Sequence, residues 1–196
     1  MASSDVALMI RRARVADADG IALTHVASWR ATYHGIMRDE TLAALSVEER
    51  AAMWRERLEA LSHDPPPRQE ACYVAVNAVG SVVGFARGGR ARPLASGALP
   101  EPYDGELYAI YLTPGGERRG TGARLAHAVA SHLAADGLRS LLVWALAANP
   151  SRGFYKALGG ALVFEQDVVI AGETLAEVGY GWSDIKALIA RTAPRS

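Results

Sequence analysis

Between residues 106 and 146 the chain carries three patterns whose order fixes their mutual geometry. ELYAIYL (106–112) reads as a strand and is broken by Pro114-Gly115-Gly116. From Gly120 to Ala135, the apolar set Leu125, Ala126, Val129, Ala130 and Leu133 recurs at helical spacing and marks an amphipathic helix, closed by Asp136-Gly137. LLVWAL (141–146) is a nearly continuous apolar run, as expected of a strand buried on both faces. A strand, a crossover helix and a second strand of one sheet join right-handedly, so the two strands are parallel. Ligands of such sheets gather beyond the carboxyl ends of the strands, which directs attention to residues 112–122 and 147–155.

The flanking patterns complete a mixed sheet. LMIRRAR (8–14) reads as a strand, and Asp17 and Asp19 are helix-start signals for a helix over 17–33 with Ala22, Val26, Trp29 and Tyr33 on one stripe. A second helical stretch begins near Asp39. Ser46 and Glu49 fit a capping box ahead of the stripe Trp54, Leu58 and Leu61, and Asp64-Pro65-Pro66-Pro67 ends it. YVAV (73–76) and VVGFA (82–86) read as a hairpin across Asn77–Ser81. Residues 88–105, rich in Gly and Pro, read as a long surface loop. Pro150 opens a short helix to about Leu158, and two strands turn at Ala171-Gly172 before a short C-terminal helix. The order β-α-α-β-β-β-α-β-α-β-β predicts an α/β fold of the α+β mixed-sheet kind, with helices on both faces. It forms one domain over 8–191, with short tails at 1–7 and 192–196.

Composition narrows the function classes. The chain has 196 residues, half of them apolar, which is ample for a core. Lys+Arg and Asp+Glu are both 21, so the net charge is zero and neither a nucleic-acid nor an anionic-membrane footprint is expected. Cys72 is alone, which excludes an intrachain disulfide, and its apolar neighbours make it a buried strand thiol. The five histidines contain no HExxH, and His127 and His132 fall on different faces of their helix, so no metal site is expected. MASSDVALMIRR lacks a signal-peptide core and no run approaches the roughly 18 apolar residues of a membrane span, so a cytoplasmic, soluble protein is expected.

Two motifs stand at the indicated edge of the sheet. Glu117-Arg118-Arg119-Gly120-Thr121-Gly122-Ala123 joins strand to helix, where unpaired amides and the helix dipole suit a phosphate and glycines let the backbone approach closely. An ordinary tight turn is the alternative. It is not a Walker loop, since no Lys-Ser/Thr follows, and it lacks the third glycine of a dinucleotide fingerprint. Asn149-Pro150-Ser151-Arg152-Gly153-Phe154-Tyr155 follows the buried strand. Tyr155 there could donate a proton at neutral pH, since a free phenol titrates near about 10. Core packing of Phe154-Tyr155 and helix capping by Asn149 are the alternatives.

The segments ELYAIYLTPGGERRGTGARL, LLVWAL and NPSRGFYKALGG, with RRARVADADGIALTHVASWRATY at the N-terminal side, together resemble the GNAT superfamily of acyl-CoA-dependent N-acyltransferases, over roughly residues 8–183. Of the family pattern Arg/Gln-x-x-Gly-x-Gly/Ala, Gly120 and Gly122 match, while Glu117 stands at the Arg/Gln position. The resemblance implies a GNAT-like fold: a central, mostly antiparallel sheet with one parallel strand pair splayed at the cofactor site. It implies acetyl-CoA as co-substrate. The pyrophosphate would lie on amides of Arg118, Arg119, Gly120, Thr121, Gly122 and Ala123. The pantetheine arm would run along Ile110 and Leu112, with Asn149 and Phe154 opposite. Tyr155 matches the general acid that protonates the departing thiolate. Glu106 stands where some members carry the base, with a strand-end salt bridge as its alternative and an ordered water as the other proton acceptor.

Trp29, Tyr33 and His34 fall where the first helix borders the acceptor pocket in this family, and as a stripe they also read as core. Arg90, Arg92, Glu101, Tyr103 and Asp104 of the long loop are further candidate contacts for the amine-bearing acceptor. The implied activity is N-acetyl transfer by direct amine attack in a ternary complex. A non-catalytic acyl-CoA-binding module and a nucleotide-binding protein are the competing classes. A sheet edge near the C-terminus is compatible with a homodimer.

Overall fold

The computed structural model describes residues 8–63, 69–116 and 120–193. Seven strands, β1 (Met9–Arg12), β2 (Ala71–Val76), β3 (Val82–Arg90), β4 (Gly105–Leu112), β5 (Leu141–Leu146), β6 (Ala161–Ile170) and β7 (Glu173–Trp182), form one sheet in the order β1-β2-β3-β4-β5-β7-β6. Every neighbouring pair is antiparallel except β4–β5, the pair joined by the crossover helix. The helices are α1 (Ala18–Tyr33), α2 (Asp39–Ala43), α3 (Val47–Ala60), α4 (Thr121–Ala135), α5 (Arg152–Ala157) and α6 (Ile185–Thr192).

One face of the sheet is covered by α4, with α6 packed beside it. Leu125, Val129 and Leu133, the stripe read from the sequence, are fully buried there against Leu107, Leu141 and Val143. On the other face α1 and α3 pack together. Ile21, Ala22, Trp54 and Leu58 close on Val74 and Phe85. Ser46 caps α3 as expected, its Oγ accepting from the Glu49 amide at 3.1 Å. The start of α1 is reinforced by Asp17, which accepts from the Arg14 amide at 2.7 Å and pairs with the Arg11 guanidinium at 2.7 Å. No described helix is long and apolar enough to cross a membrane.

The glycine-rich start of the expected loop is strand instead. β3 runs on to Arg90 and β4 begins at Gly105, so the irregular connection is 91–104. The reason is close packing. A Cβ on Gly88 would fall 2.7 Å from Val129 Cγ1 of α4 and 2.8 Å from the Glu106 carbonyl, and one on Gly89 would meet the Tyr108 hydroxyl at 2.5 Å and its ring at 2.9 Å. These glycines mark places where a helix and an aromatic ring lie directly on the strand, not a turn.

Two attachments of β4 set up the site. Its register with β3 passes from Gly88↔Leu107 to Arg87↔Ala109, so Tyr108 has no opposite residue and forms a β-bulge. The bulge reverses the facing of the strand: Leu107 packs toward α4, and beyond the extra residue it is Ile110 and Leu112 that do so, while Ala109 and Tyr111 turn toward α1 and α3. On its other side β4 pairs with β5 only from Gly105↔Leu141 to Leu107↔Val143. Past that point β5 continues along β7 and leaves β4, as the expected splay requires.

Gly88→Ala should lower the unfolding free energy by about 1–3 kcal/mol, since the new methyl must displace α4 or the β4 backbone. Urea denaturation measures this, and unchanged stability would mean that α4 does not pack on β3 so closely.

Candidate active site

The gap between β4 and β5 opens into a cleft of about 850 Å³. Its walls are the outer half of β4, the start of α4, the residues after β5 with α5, and the last two turns of α1. Past Leu107 the edge of β4 facing β5 carries no strand partner, so its backbone polar groups are free to pair with an extended ligand. Ile110 and Leu112, the two residues assigned to that edge, line the cleft.

At one end lies the N-terminus of α4. Gly120 is its cap, with φ 74° in the left-handed region that favours glycine. No acidic side chain stands in the first turn. Gly120, Gly122 and Ala123 line the cleft, and between them Thr121 has a buried hydroxyl without a hydrogen-bond partner among the described residues. Gly122 is a glycine for a reason the sequence does not show: a Cβ would lie 3.2 Å from the Phe154 ring, which seats α5 against α4. Arg118 and Arg119, the other two residues of this motif assigned to a cofactor, lie outside the described residues.

The opposite wall is built by the second motif. Asn149 is buried, and its Oδ1 accepts from the Ser151 amide at 2.8 Å, fixing the turn into α5. Phe154 and Tyr155 both line the cleft. The Tyr155 ring stacks on Tyr180 with centroids 5.7 Å apart, and Phe154 meets it edge-on at 5.4 Å. Burial, and then the neighbouring Tyr111, push the Tyr155 phenol well above its ordinary value, so it remains protonated at any physiological pH.

Two further phenols converge on Tyr155. Tyr33, on the last turn of α1, is buried and lines the cleft, with its phenol raised by burial and by Tyr111 and lowered by the Asn149 amide. Tyr111 on β4 was not among the residues singled out from the sequence. A simple alternation through ELYAIYL puts Tyr111 on the same side as Leu107, and only the bulge turns it into this group. Behind it, His25 of α1 stacks on the Tyr111 ring at 5.2 Å, and Trp54 Nε1 donates to His25 Nδ1 at 3.2 Å. Burial first, then Arg50 and Arg57, depress the His25 pKa to about 3, so the imidazole is a neutral packing element. Trp29 packs edge-on to Tyr33 at 5.3 Å, but it lines a smaller cavity of about 440 Å³ and not the cleft. Trp29 and Tyr33 therefore fall on two sides of one aromatic wall.

The geometry separates Glu106 from this group. The carboxylate is 1% exposed and does not line the cleft. It accepts from the Arg92 amide and Nε, each at 3.0 Å, and from the Arg92 Nη2. Arg92 in turn lies over the Tyr108 ring, and Arg87, paired with Glu70, covers the ring from 4.8 Å. The Tyr108 hydroxyl donates to the Arg90 carbonyl at 2.6 Å. Glu106 thus forms an ion pair at the start of its strand, which ties the 91–104 connection to the base of the splay. Of the other loop candidates, Asp104 accepts from the Arg139 and Ser140 amides, and Tyr103 fits against Gly181.

Residues 82–169 match the family described as FR47-like protein. The chain is 39% identical over 179 residues, 91% of its length and 95% of the relative's, to YuaI of Bacillus subtilis (strain 168), described as an uncharacterised N-acetyltransferase. Among solved structures it is similar to a GCN5-related N-acetyltransferase of Rhodopseudomonas palustris, with 24% identity and a TM-score of 0.65 over 92% of this chain and 97% of that one. It is also similar to the PaiA N-acetyltransferase of Thermoplasma acidophilum, solved in complex with coenzyme A, with 18% identity and a TM-score of 0.63 over 87% and 98%.

The His25 environment has an acid signature. A folded-state pKa depressed to about 3 means that the unfolded chain binds a proton the folded one cannot, so stability is lost as pH falls from about 6.5 toward 3. This group alone contributes a slope of about 1.4 kcal/mol per pH unit in that window. Denaturation of His25→Gln across the window should show that slope reduced, and an unchanged slope would mean that His25 protonates in the folded state.

Proposed function

Because the chain belongs to the GNAT superfamily of N-acetyltransferases, we propose that its cleft binds acetyl-CoA and transfers the acetyl group to a primary amine by direct attack in a ternary complex. The observation that carries this reading is the continuity of the cleft. It runs from the amides of the α4 N-terminus, along the unpaired edge of β4, to the buried phenol of Tyr155. A substrate suited to that path has an anionic group at one end, an extended amide chain in the middle and a reacting centre at the far end, which is the layout of acyl-CoA.

In this reading the amides of Gly120, Thr121, Gly122 and Ala123 hold the pyrophosphate. The helix dipole suits the anion. Arg118 and Arg119 belong to the same stretch of chain. Ile110 and Leu112 offer backbone groups to the pantetheine amides, and Asn149 and Phe154 close the opposite side. The amine nitrogen forms a bond to the thioester carbon, the carbon–sulfur bond breaks, and the electron pair leaves on sulfur. Tyr155 donates its phenolic proton to that thiolate and is reprotonated from solvent.

The attacking amine must also lose a proton. Among the described residues, no carboxylate or imidazole lines the cleft. The proton therefore passes to water, and Glu106 serves as the clamp of Arg92 and not as the base.

Calorimetric titration with acetyl-CoA, against NAD and ATP as controls, tests the binding half. Saturable binding is expected for acetyl-CoA alone, and Gly120→Val should weaken it, because a β-branched side chain resists the positive φ. A preference for NAD or ATP would withdraw the reading. Thiol release with an amine panel tests the chemistry. Tyr155→Phe should lower kcat by about 10²–10⁴-fold while leaving the acetyl-CoA Kd nearly unchanged. For the parent enzyme, kcat/KM should rise with pH as the amine deprotonates and show no descending limb up to about pH 10, because the Tyr155 phenol is held protonated. Binding without thiol release would mark a non-catalytic acyl-CoA-binding protein.

A further inference from the structure

Next to the cleft stands a carboxylate that the proposed chemistry does not use. Glu177 of β7 is paired in register with Leu146 of β5, on the sheet face where Leu146 packs against Tyr33. Trp144, two residues back on β5, shares that face and lines the cleft. Glu177 is half-buried, and one of its oxygens, Oε1, accepts from Gln166 Nε2 at 2.7 Å. The orientation of Gln166 is set from its other end, where Oε1 accepts from the Ala95 amide at 2.9 Å.

The second oxygen of Glu177 has no partner, and no cation forms an ion pair with it, among the described residues. The guanidinium whose charge acts on Glu177, that of Arg92, is committed to Glu106. Burial raises the Glu177 carboxyl, Gln166 and Arg92 partly offset this, and Glu106 adds to it. A half-buried carboxylate with a free oxygen costs free energy until a cation reaches it. The Trp144 ring, on the same sheet face two residues from the Glu177 pair and lining the cleft, is a favourable surface for an ammonium group.

Position decides which cation. β5 lies between Glu177 and the slot, so the carboxylate stands roughly one to two strand spacings, on the order of 5–10 Å, from the point of acetyl transfer. That is too far to touch the reacting nitrogen, and it is a span that a short alkyl chain bridges.

We infer that Glu177 holds a second positive charge of the acceptor, so that the preferred substrate is a short dicationic amine with one ammonium on the free Glu177 oxygen and its other nitrogen presented to the cleft. The assignment rests on the reading of the cleft as an acetyl-transfer site. Two ammonium groups on one short chain also lower each other's pKa, which helps the reacting nitrogen shed its proton to water where no base is at hand.

The test compares kcat/KM for diaminobutane and butylamine, with acetyl-CoA, in the parent enzyme and in Glu177→Gln and Glu177→Asp. The parent should prefer the diamine. Glu177→Gln, which keeps a partner for Gln166, should shrink that preference by about 10- to 100-fold, the worth of one charge-assisted hydrogen bond. Glu177→Asp, which keeps the charge on a shorter arm, should recover part of it. Equal turnover of the two amines by the parent overturns the inference and leaves the acetyltransferase reading standing. So does a preference unaltered in Glu177→Gln, or an equal loss on both amines. No thiol release with either amine, in a protein that releases thiol with another member of the amine panel, overturns the inference alone, whereas none across the whole panel takes both readings down.

Discussion

At Tyr108, β4 carries one residue more than β3 can oppose. The consequences spread in both directions along the strand. Before the bulge, β4 is an ordinary interior strand paired on both sides. After it, the facing of the side chains is reversed, Ile110 and Leu112 turn to α4, and Tyr111 turns into the group formed by Tyr33, Asn149 and Tyr155. The loss of β5 as a partner begins at the same place. A bulge increases local twist, and a strand that twists away from a straight parallel neighbour must part from it.

A bulge leaves one residue without a ladder partner, and here that residue is secured by side chains lying over the sheet. Arg87 and Arg92 lie against the Tyr108 ring, each neutralised by its own carboxylate, Glu70 and Glu106. The Tyr108 hydroxyl is spent on the Arg90 carbonyl, and Gly89 leaves the space the ring needs. Because Arg92 belongs to the connection before β4, the same clamp fixes the start of the 91–104 segment, and Ala95 carries the restraint on to Gln166 and Glu177. Two ion pairs are thus arranged around one aromatic ring, while the group at the cleft itself is almost wholly phenolic.

The parts of this structure legible in the sequence are those written in local periodicity or in a contiguous motif. The α4 stripe, the Ser46 cap, the parallel crossover and the two cleft-forming turns after β4 and β5 all belong to that class. Gly88 and Gly89 misled because glycine in a strand and glycine in a loop have the same local appearance, and the difference lies in Val129 and Tyr108, far away in the chain. The Arg92 pairing of Glu106 was hidden for a related reason: whether a strand-end carboxylate meets an arginine depends on where residue 92 goes. Tyr111 went unnoticed because a bulge is an excess of one residue relative to a partner strand. No pattern within β4 alone can reveal it.

The sheet is in effect two half-sheets, four strands on one side and three on the other, whose shared seam is three residue pairs long between β4 and β5. Under mechanical load a molecule built this way yields first along the seam, since a three-pair ladder resists shear less than the ladders flanking it. Parting the seam and widening the cleft are then the same motion. An extended ligand lying in the gap, touching β4 on one side and the residues after β5 on the other, would act as a staple across the weakest line of the fold, so that occupancy and rigidity rise together.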